Sequence, residues 1–258
     1  QVEAAVGAGV KGILCEKPLA TTLEEADRIF AAVERADIPM AYGLELRWSP
    51  RYQRLFSLVN DGAVGEVTAV EAYGVTELIN HGCHWYDLAL GLVGDREPAW
   101  VSGFVDEVTP DPADWVTGDP HGRGWVGLEG GVHMSFSPEG APRSFVVLGT
   151  GGRLAILNEA GEAYLWEADG EAGRLASSPR EVDLPTSAEP WPTGPACVRD
   201  LARAVRTGAK TSCDVPGARR ATEIGFAIHA SSAADGARVM LPVADRKLRV
   251  DSRPWGNE

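Results

Sequence analysis

The chain reads as α/β: a short parallel strand–helix–strand unit, then an α+β portion dominated by a large, mostly antiparallel sheet. Three observations predict this. An apolar run at 10–15, a helical-period stretch and a second apolar run at 38–42 succeed one another within the first 43 residues. From Trp100 onward, short runs at 99–105, 124–128, 131–136, 143–149, 153–157 and 162–167 are separated by Gly, Pro, Asn or Asp clusters. Helix-period segments recur between and after these blocks, at 50–61, 82–93, 193–207 and 216–235.

Each element has a local reason. Residues 1–9 read as a helix tail entering the strand 10–15. Thr22 and Glu25 have capping-box spacing ahead of Leu23, Ala26, Ile29, Phe30 and Val33. Ser49-Pro50 starts the next helix with serine as N-cap and proline at its first position, and Gly62 ends it. Glu66 to Gly74 is a strand. The helix 82–93 follows, with Trp85, Leu88, Ala89, Leu92 and Val93 on one side. The Asp- and Pro-rich stretch 106–123 is a long loop suited to bordering a site. Residues 168–192 show no periodicity and read as irregular, and Arg238 to Pro242 is a final strand.

Composition narrows function. The 258 residues are 44% hydrophobic and 24% charged, as in soluble globular proteins. A formal charge of −13 argues against nucleic-acid and anionic-membrane partners. No apolar run reaches the ~18 residues that a span needs. Cys15, Cys83, Cys197 and Cys213 form no CxxC pair, so the expectation is a reducing cytoplasm without disulfides or structural zinc.

Four segments carry candidate chemistry. Gly7-Ala8-Gly9-Val10-Lys11-Gly12 spells GxGxxG, but in the order helix, glycines, strand; a phosphate loop needs the reverse, so it reads as a helix end and turn. Lys17, in Cys15-Glu16-Lys17-Pro18, sits at a strand's carboxyl end, where ligands gather in open α/β sheets. Pro18 holds it out of helical angles, and an X-Pro bond there is open to the cis form. It reads equally as a solvated loop lysine.

In Asn80-His81-Gly82-Cys83-His84-Trp85-Tyr86-Asp87, His84 falls in the first helical turn, where the dipole favours the neutral imidazole that a general base requires. Asp87, three residues on, is placed to orient the ring. A hydrogen-bonded core histidine is the plain alternative. A metal site from His81, Cys83, His84 and Asp87 is a further one, which helical geometry disfavours. Glu45 and Arg47, after the second strand, line the same cleft or form a surface ion pair. His121 and Trp125 stand near the long loop.

Taken in order, these elements resemble the Gfo/Idh/MocA family of NAD(P)-dependent oxidoreductases. The matching stretches are Gly12-Ile13-Leu14-Cys15-Glu16-Lys17-Pro18-Leu19-Ala20, Arg47-Trp48-Ser49-Pro50-Arg51-Tyr52, Asp61 to Val67 and Gly82-Cys83-His84-Trp85-Tyr86-Asp87-Leu88. The ending, Ala230 to Pro242, also matches. The resemblance implies a fold in two parts. Residues 1–43 would be the C-terminal remnant of a Rossmann-type parallel sheet, and 44–258 a substrate-binding and oligomerisation α+β domain.

The resemblance further implies oxidation of a sugar, inositol or related polyol hydroxyl by hydride transfer to NAD or NADP. Glu16, Lys17 and Pro18 would border the nicotinamide, with Lys17 and His84 catalytic and Asn80, Arg47 and Asp87 contacting substrate, and with no metal. Asn80 stands where the family often has aspartate, which removes a charge from any proton relay there. Most of the dinucleotide site would lie outside this chain, leaving it alone a weak cofactor binder. Association through the large sheet is expected. A non-catalytic sugar-binding or assembly module, and a metal-dependent hydrolase, are the alternative functions.

Overall fold

A computed structural model describes residues 1–106, 119–140, 143–169, 176, 178–187 and 192–250. The chain opens with α1 (Val2–Gly7), β1 (Ile13–Cys15), α2 (Leu23–Ala36) and β2 (Met40–Tyr42). β1 and β2 pair in parallel, Ile13 opposite Met40 and Cys15 opposite Tyr42. Both strands are shorter than the apolar runs suggested, because Val10 and Ile38 lie in the approaches. Thr22 caps α2 by accepting a bond from the Glu25 amide. The Glu25 carboxylate reaches back to Thr21 rather than to Thr22, so the capping box is offset by one residue.

A 3-10 turn (Glu45–Trp48) leads into α3 (Pro50–Asn60). Ser49 is its N-cap residue but gives no side-chain bond. Gly62 follows the end of α3 at φ +89°, as the helix stop requires. Then come β3 (Val67–Tyr73), α4 (Gly82–Leu92), β4 (Pro98–Val105), β5 (Gly122–Leu128), β6 (His133–Ser137), β7 (Ser144–Gly149), β8 (Gly152–Leu157) and β9 (Glu162–Glu167). A two-residue strand β10 (Arg180–Glu181) lies where the sequence suggested only irregular chain. The order closes with α5 (Thr193–Thr207), α6 (Val215–Ser232) and β11 (Val239–Met240).

Nine strands form one sheet in the order β10-β9-β8-β7-β3-β6-β5-β4-β11. Its pairings are antiparallel except β3–β6. One face is the core: Val70, Ala72, Met134, Phe136, Val147 and Leu154 alternate inward and are buried. α4 and α6 cover this face. Gly103 and Gly124 admit Ile228 of α6 at a distance where a Cβ would sit 3.1–3.2 Å from its side chain.

The small parallel sheet is tied to the rest by the segment after α5. Tyr42 donates its amide to the Cys213 carbonyl, and the Thr211 hydroxyl bonds the Met40 carbonyl at 2.5 Å. α6 packs against both β2 and β4, so the two sheets share one helix. No helix among the described residues is long and apolar enough to cross a membrane. All four cysteines are free.

Candidate active site

The carboxyl end of β1 and the amino end of α4 meet, 63 residues apart in sequence. Lys17 follows β1, joined to Pro18 by a cis peptide bond. Its Nζ donates to Asn80 Oδ1 at 2.8 Å. Asn80 stands just before α4, where His81 is the N-cap residue, and is 5% exposed. His84 lies one turn further, 6% exposed. Lys17, proposed from one stretch, and Asn80 and His84, from another, thus come together.

His84 is held neutral. Burial, and then the charges of Lys17, His81 and Arg143, push its pKa down to about 3. Its Nδ1 is enclosed and has no hydrogen-bond partner. That corrects one expectation: Asp87 does not orient the ring. The Asp87 carboxylate receives Arg47 Nε at 2.9 Å and Nη2 at 2.6 Å, and Arg47 also reaches Asp95. Both side chains are buried, so Arg47 and Asp87 are tied to each other rather than offered to a substrate. Burial opposes the Arg47 charge, but Asp87 and Asp95 override it and raise its pKa. Position i+3 put Asp87 on the side of α4 that faces the turn after β2.

Two acidic residues at the site escaped the sequence reading. Asp119 belongs to the stretch 106–123 expected to be a long loop, of which 107–118 lie outside the described residues. It is 2% exposed and accepts the backbone amides of Ile79 at 2.9 Å and Asn80 at 2.6 Å. It therefore fixes the turn that presents Asn80 to Lys17. Burial pushes its carboxyl up to about 6, against the pull of those two amides. No local signal marks Asp119, since its partners lie 39 and 40 residues away. Glu77 contacts His81 Nδ1, a spacing of four that was legible in the sequence. Burial works against the Glu77 charge, but His81 and Thr76 override it and bring the carboxyl down to about 2.

The remaining candidates are dispersed. Glu16 is exposed and packs at the end of β2, where a Cβ on Gly43 would meet its Oε2 at 2.7 Å. Glu45 does not pair with Arg47, which is engaged by Asp87 and Asp95, and burial raises the Glu45 carboxyl pKa. Arg143 stacks over Trp85 at 4.4 Å and pairs with Glu159. His121 and Trp125 are exposed, and Trp125 projects from the sheet rather than into the cleft. Among the described residues no group of three His, Cys, Asp or Glu side chains is placed to hold a metal. His81 and Asp87 are engaged by Glu77 and Arg47, so they do not converge with Cys83 and His84 on a common point.

No family model matches the chain. Among curated proteins it is 28% identical over 196 residues to 1,5-anhydro-D-fructose reductase of Ensifer adhaerens, covering 67% of this chain and 59% of that protein. It is 44% identical over 64 residues to D-apiose dehydrogenase of Paraburkholderia graminis, covering 25% and 17% respectively. To the NADP(+) D-xylose 1-dehydrogenase of Haloarcula marismortui it is 26% identical over 170 residues, covering 57% and 47%. The chain thus spans less than two thirds of each of these relatives, from 17% to 59%.

Solved structures share the fold. An oxidoreductase domain protein from Kribbella flavida superimposes with a TM-score of 0.77 at 22% identity, over 93% of this chain and 76% of that one. Levoglucosan dehydrogenase in complex with NADH and levoglucosan gives 0.76 at 21% identity, with the same coverage. The chain therefore has the α/β architecture of these oxidoreductases and local sequence similarity to sugar dehydrogenases and reductases.

Proposed function

We propose that this chain is the substrate-side portion of a Gfo/Idh/MocA-type, NAD(P)-dependent oxidoreductase acting on a sugar, inositol or related polyol hydroxyl. The observation that carries the reading is the Lys17–Asn80 contact at 2.8 Å beside a neutral, buried His84. On this reading residues 1–43 belong to the cofactor side and 44–258 to the substrate side.

The residues present fit part of a dinucleotide. The β1 end, with Glu16, Lys17 and Pro18, suits the nicotinamide edge, at the position where open α/β sheets bind ligands. The pyrophosphate has no seat among the described residues: Gly7 ends α1, Gly9 and Gly12 lie between α1 and β1, and neither strand-to-helix connection, 16–22 or 43–49, carries a Gly-x-Gly turn. A bound nicotinamide would supply the hydride acceptor.

The chain's own part is proton handling and orientation. Lys17 Nζ, held by Asn80, donates to the substrate oxygen and stabilises negative charge as it develops there. His84, uncharged, accepts the hydroxyl proton at Nε2, the nitrogen opposite the enclosed Nδ1. Asn80 fixes the lysine and has no charge of its own to add.

The test is NAD(P)H formation at 340 nm by the native gene product over a panel of aldoses and polyols. Lys17→Ala and His84→Ala should each lower kcat by about 100-fold or more, with the melting temperature little changed. Turnover close to wild type in both variants overturns these roles, and the absence of turnover on every polyol overturns the oxidoreductase reading.

The outer face of the nine-stranded sheet supports self-association. Phe104 is 46% and Trp125 50% exposed there, and half-buried Trp100, Val146 and Trp166 lie on the same face. A monomer by light scattering at assay concentration would remove that part of the proposal.

A further inference from the structure

Two imidazoles stand at the start of α4, His81 as its N-cap residue and His84 in its first turn, and they are differently equipped. His84 is enclosed, with Lys17 and Arg143 as its charged neighbours and no carboxylate bonded to it. His81, three residues earlier, is 29% exposed at its side chain and has Glu77 on Nδ1, leaving Nε2 free. Residues three apart on a helix have Cβ atoms ~5–6 Å apart. The His84 amide also bonds the His81 carbonyl at 3.0 Å, which fixes their spacing. A proton arriving on His84 is therefore held in a dehydrated place among cations. One turn back stands an imidazole with a carboxylate behind it and water in front.

We propose that the Glu77–His81 pair is the proton outlet of the site, relaying to solvent the proton that His84 takes from the substrate hydroxyl. The inference rests on the oxidoreductase reading and adds a residue to it. In the oxidative direction the substrate O–H bond breaks and its proton bonds to His84 Nε2, while the hydride leaves the same carbon for the nicotinamide. The proton then passes to His81 Nε2, whose Nδ1–H stays bonded to Glu77, and the imidazolium releases it to water. Atoms and charge balance at each step, and reduction runs the same route backwards.

The arrangement also gives Asn80 an account. An aspartate there would put a carboxylate beside Lys17. With asparagine in place, Glu77 is the carboxylate bonded to a histidine on this turn. The titratable groups bearing on His81 are Glu77, His84 and Asp119, while Lys17 and Arg143 bear on its neighbour His84.

The experiment is the pH profile of kcat and KM for the native gene product, with His81→Gln and Glu77→Gln alongside wild type. The relay predicts a fall in kcat of about 10- to 100-fold for His81→Gln, with the polyol KM within about threefold. Added imidazole should restore part of the turnover of His81→Gly. Glu77→Gln should move the acidic limb to lower pH by about one unit, because losing an adjacent carboxylate favours the neutral ring.

A second readout needs no cofactor: in ring-15N spectra, His81→Gln should raise the titration midpoint of His84, because the His81 ring opposes a proton on its neighbour. Unchanged kcat and acidic limb in both variants, with no imidazole rescue, overturn the relay alone. No nicotinamide-dependent turnover by wild type overturns the reading beneath it. Should His81→Gln misfold, Glu77→Gln still decides, since it keeps a polar side chain of the same size at a partly exposed position.

Discussion

α4 carries a buried polar cluster on each of two sides, and their chemistry is opposite. On one side Arg47 has Asp87 and Asp95 around its guanidinium, with Arg220 and Glu97 beyond, and its donors are engaged. On the other, Lys17 has a single amide oxygen and His84 has an unpartnered Nδ1. A fully satisfied buried cluster holds a structure together. A partly satisfied one, at a strand end, is open to a ligand that completes it. Being charged and buried therefore does not by itself separate site from scaffold.

The largest effect expected is at the satisfied cluster. Asp87→Ala leaves Arg47 buried beside one half-exposed carboxylate, Asp95. Removing one partner of a buried pair typically costs about 3–5 kcal/mol. Urea unfolding should show that loss, and a change below about 1 kcal/mol would mean that Arg47 is not held chiefly by Asp87. Lys17→Ala, by contrast, should barely move the unfolding midpoint.

At the incomplete cluster the signature is pH dependence. His84 has an ordinary value of 6.5 and a folded value of about 3. Below pH 6.5 the unfolded chain takes up a proton that the folded chain refuses until about pH 3. The stabilisation is thus full above 6.5 and is lost as pH falls towards 3. At pH 5 the loss amounts to about 2 kcal/mol. His84→Asn should flatten this slope in unfolding midpoints measured from pH 7.5 to 4.5. His229, depressed by burial to about 4, leaves a residual slope of the same sign. An unaltered slope in His84→Asn would place His84 in water rather than in the cluster.

How far these clusters were legible follows from the range of their contacts. The strands between 98 and 167 were readable because Gly, Pro and Asn punctuate them and side chains alternate at period two. Lys17 and His84 were readable because a strand end and a helix start announce themselves locally. Arg47–Asp87 was missed because its two halves lie 40 residues apart, and position i+3 pointed Asp87 at the wrong partner. Asp119 was invisible for the same reason. β10 was missed because two residues carry no period. Local rules find elements and the residues at their ends; which side chain answers which is settled by tertiary packing.

Asp119 offers the smallest and sharpest test, because its pH dependence runs opposite to that of His84. Its folded carboxyl titrates near 6, above the ordinary 3.8, chiefly through burial. Between those values the folded chain keeps a proton that the unfolded chain has released, so this contribution to stability falls as pH rises. Asp119→Asn removes the titration and turns an amide NH₂ towards the Ile79 or Asn80 amide, costing about 1–3 kcal/mol. The margin of wild type over the variant should therefore be larger at pH 5 than at pH 8. If it is instead larger at pH 8, the carboxylate is stabilised in the fold, and the burial that pushes it up has been misassigned. If the margin vanishes at both, the 79–80 turn does not depend on Asp119, and Asn80 must reach Lys17 by packing alone.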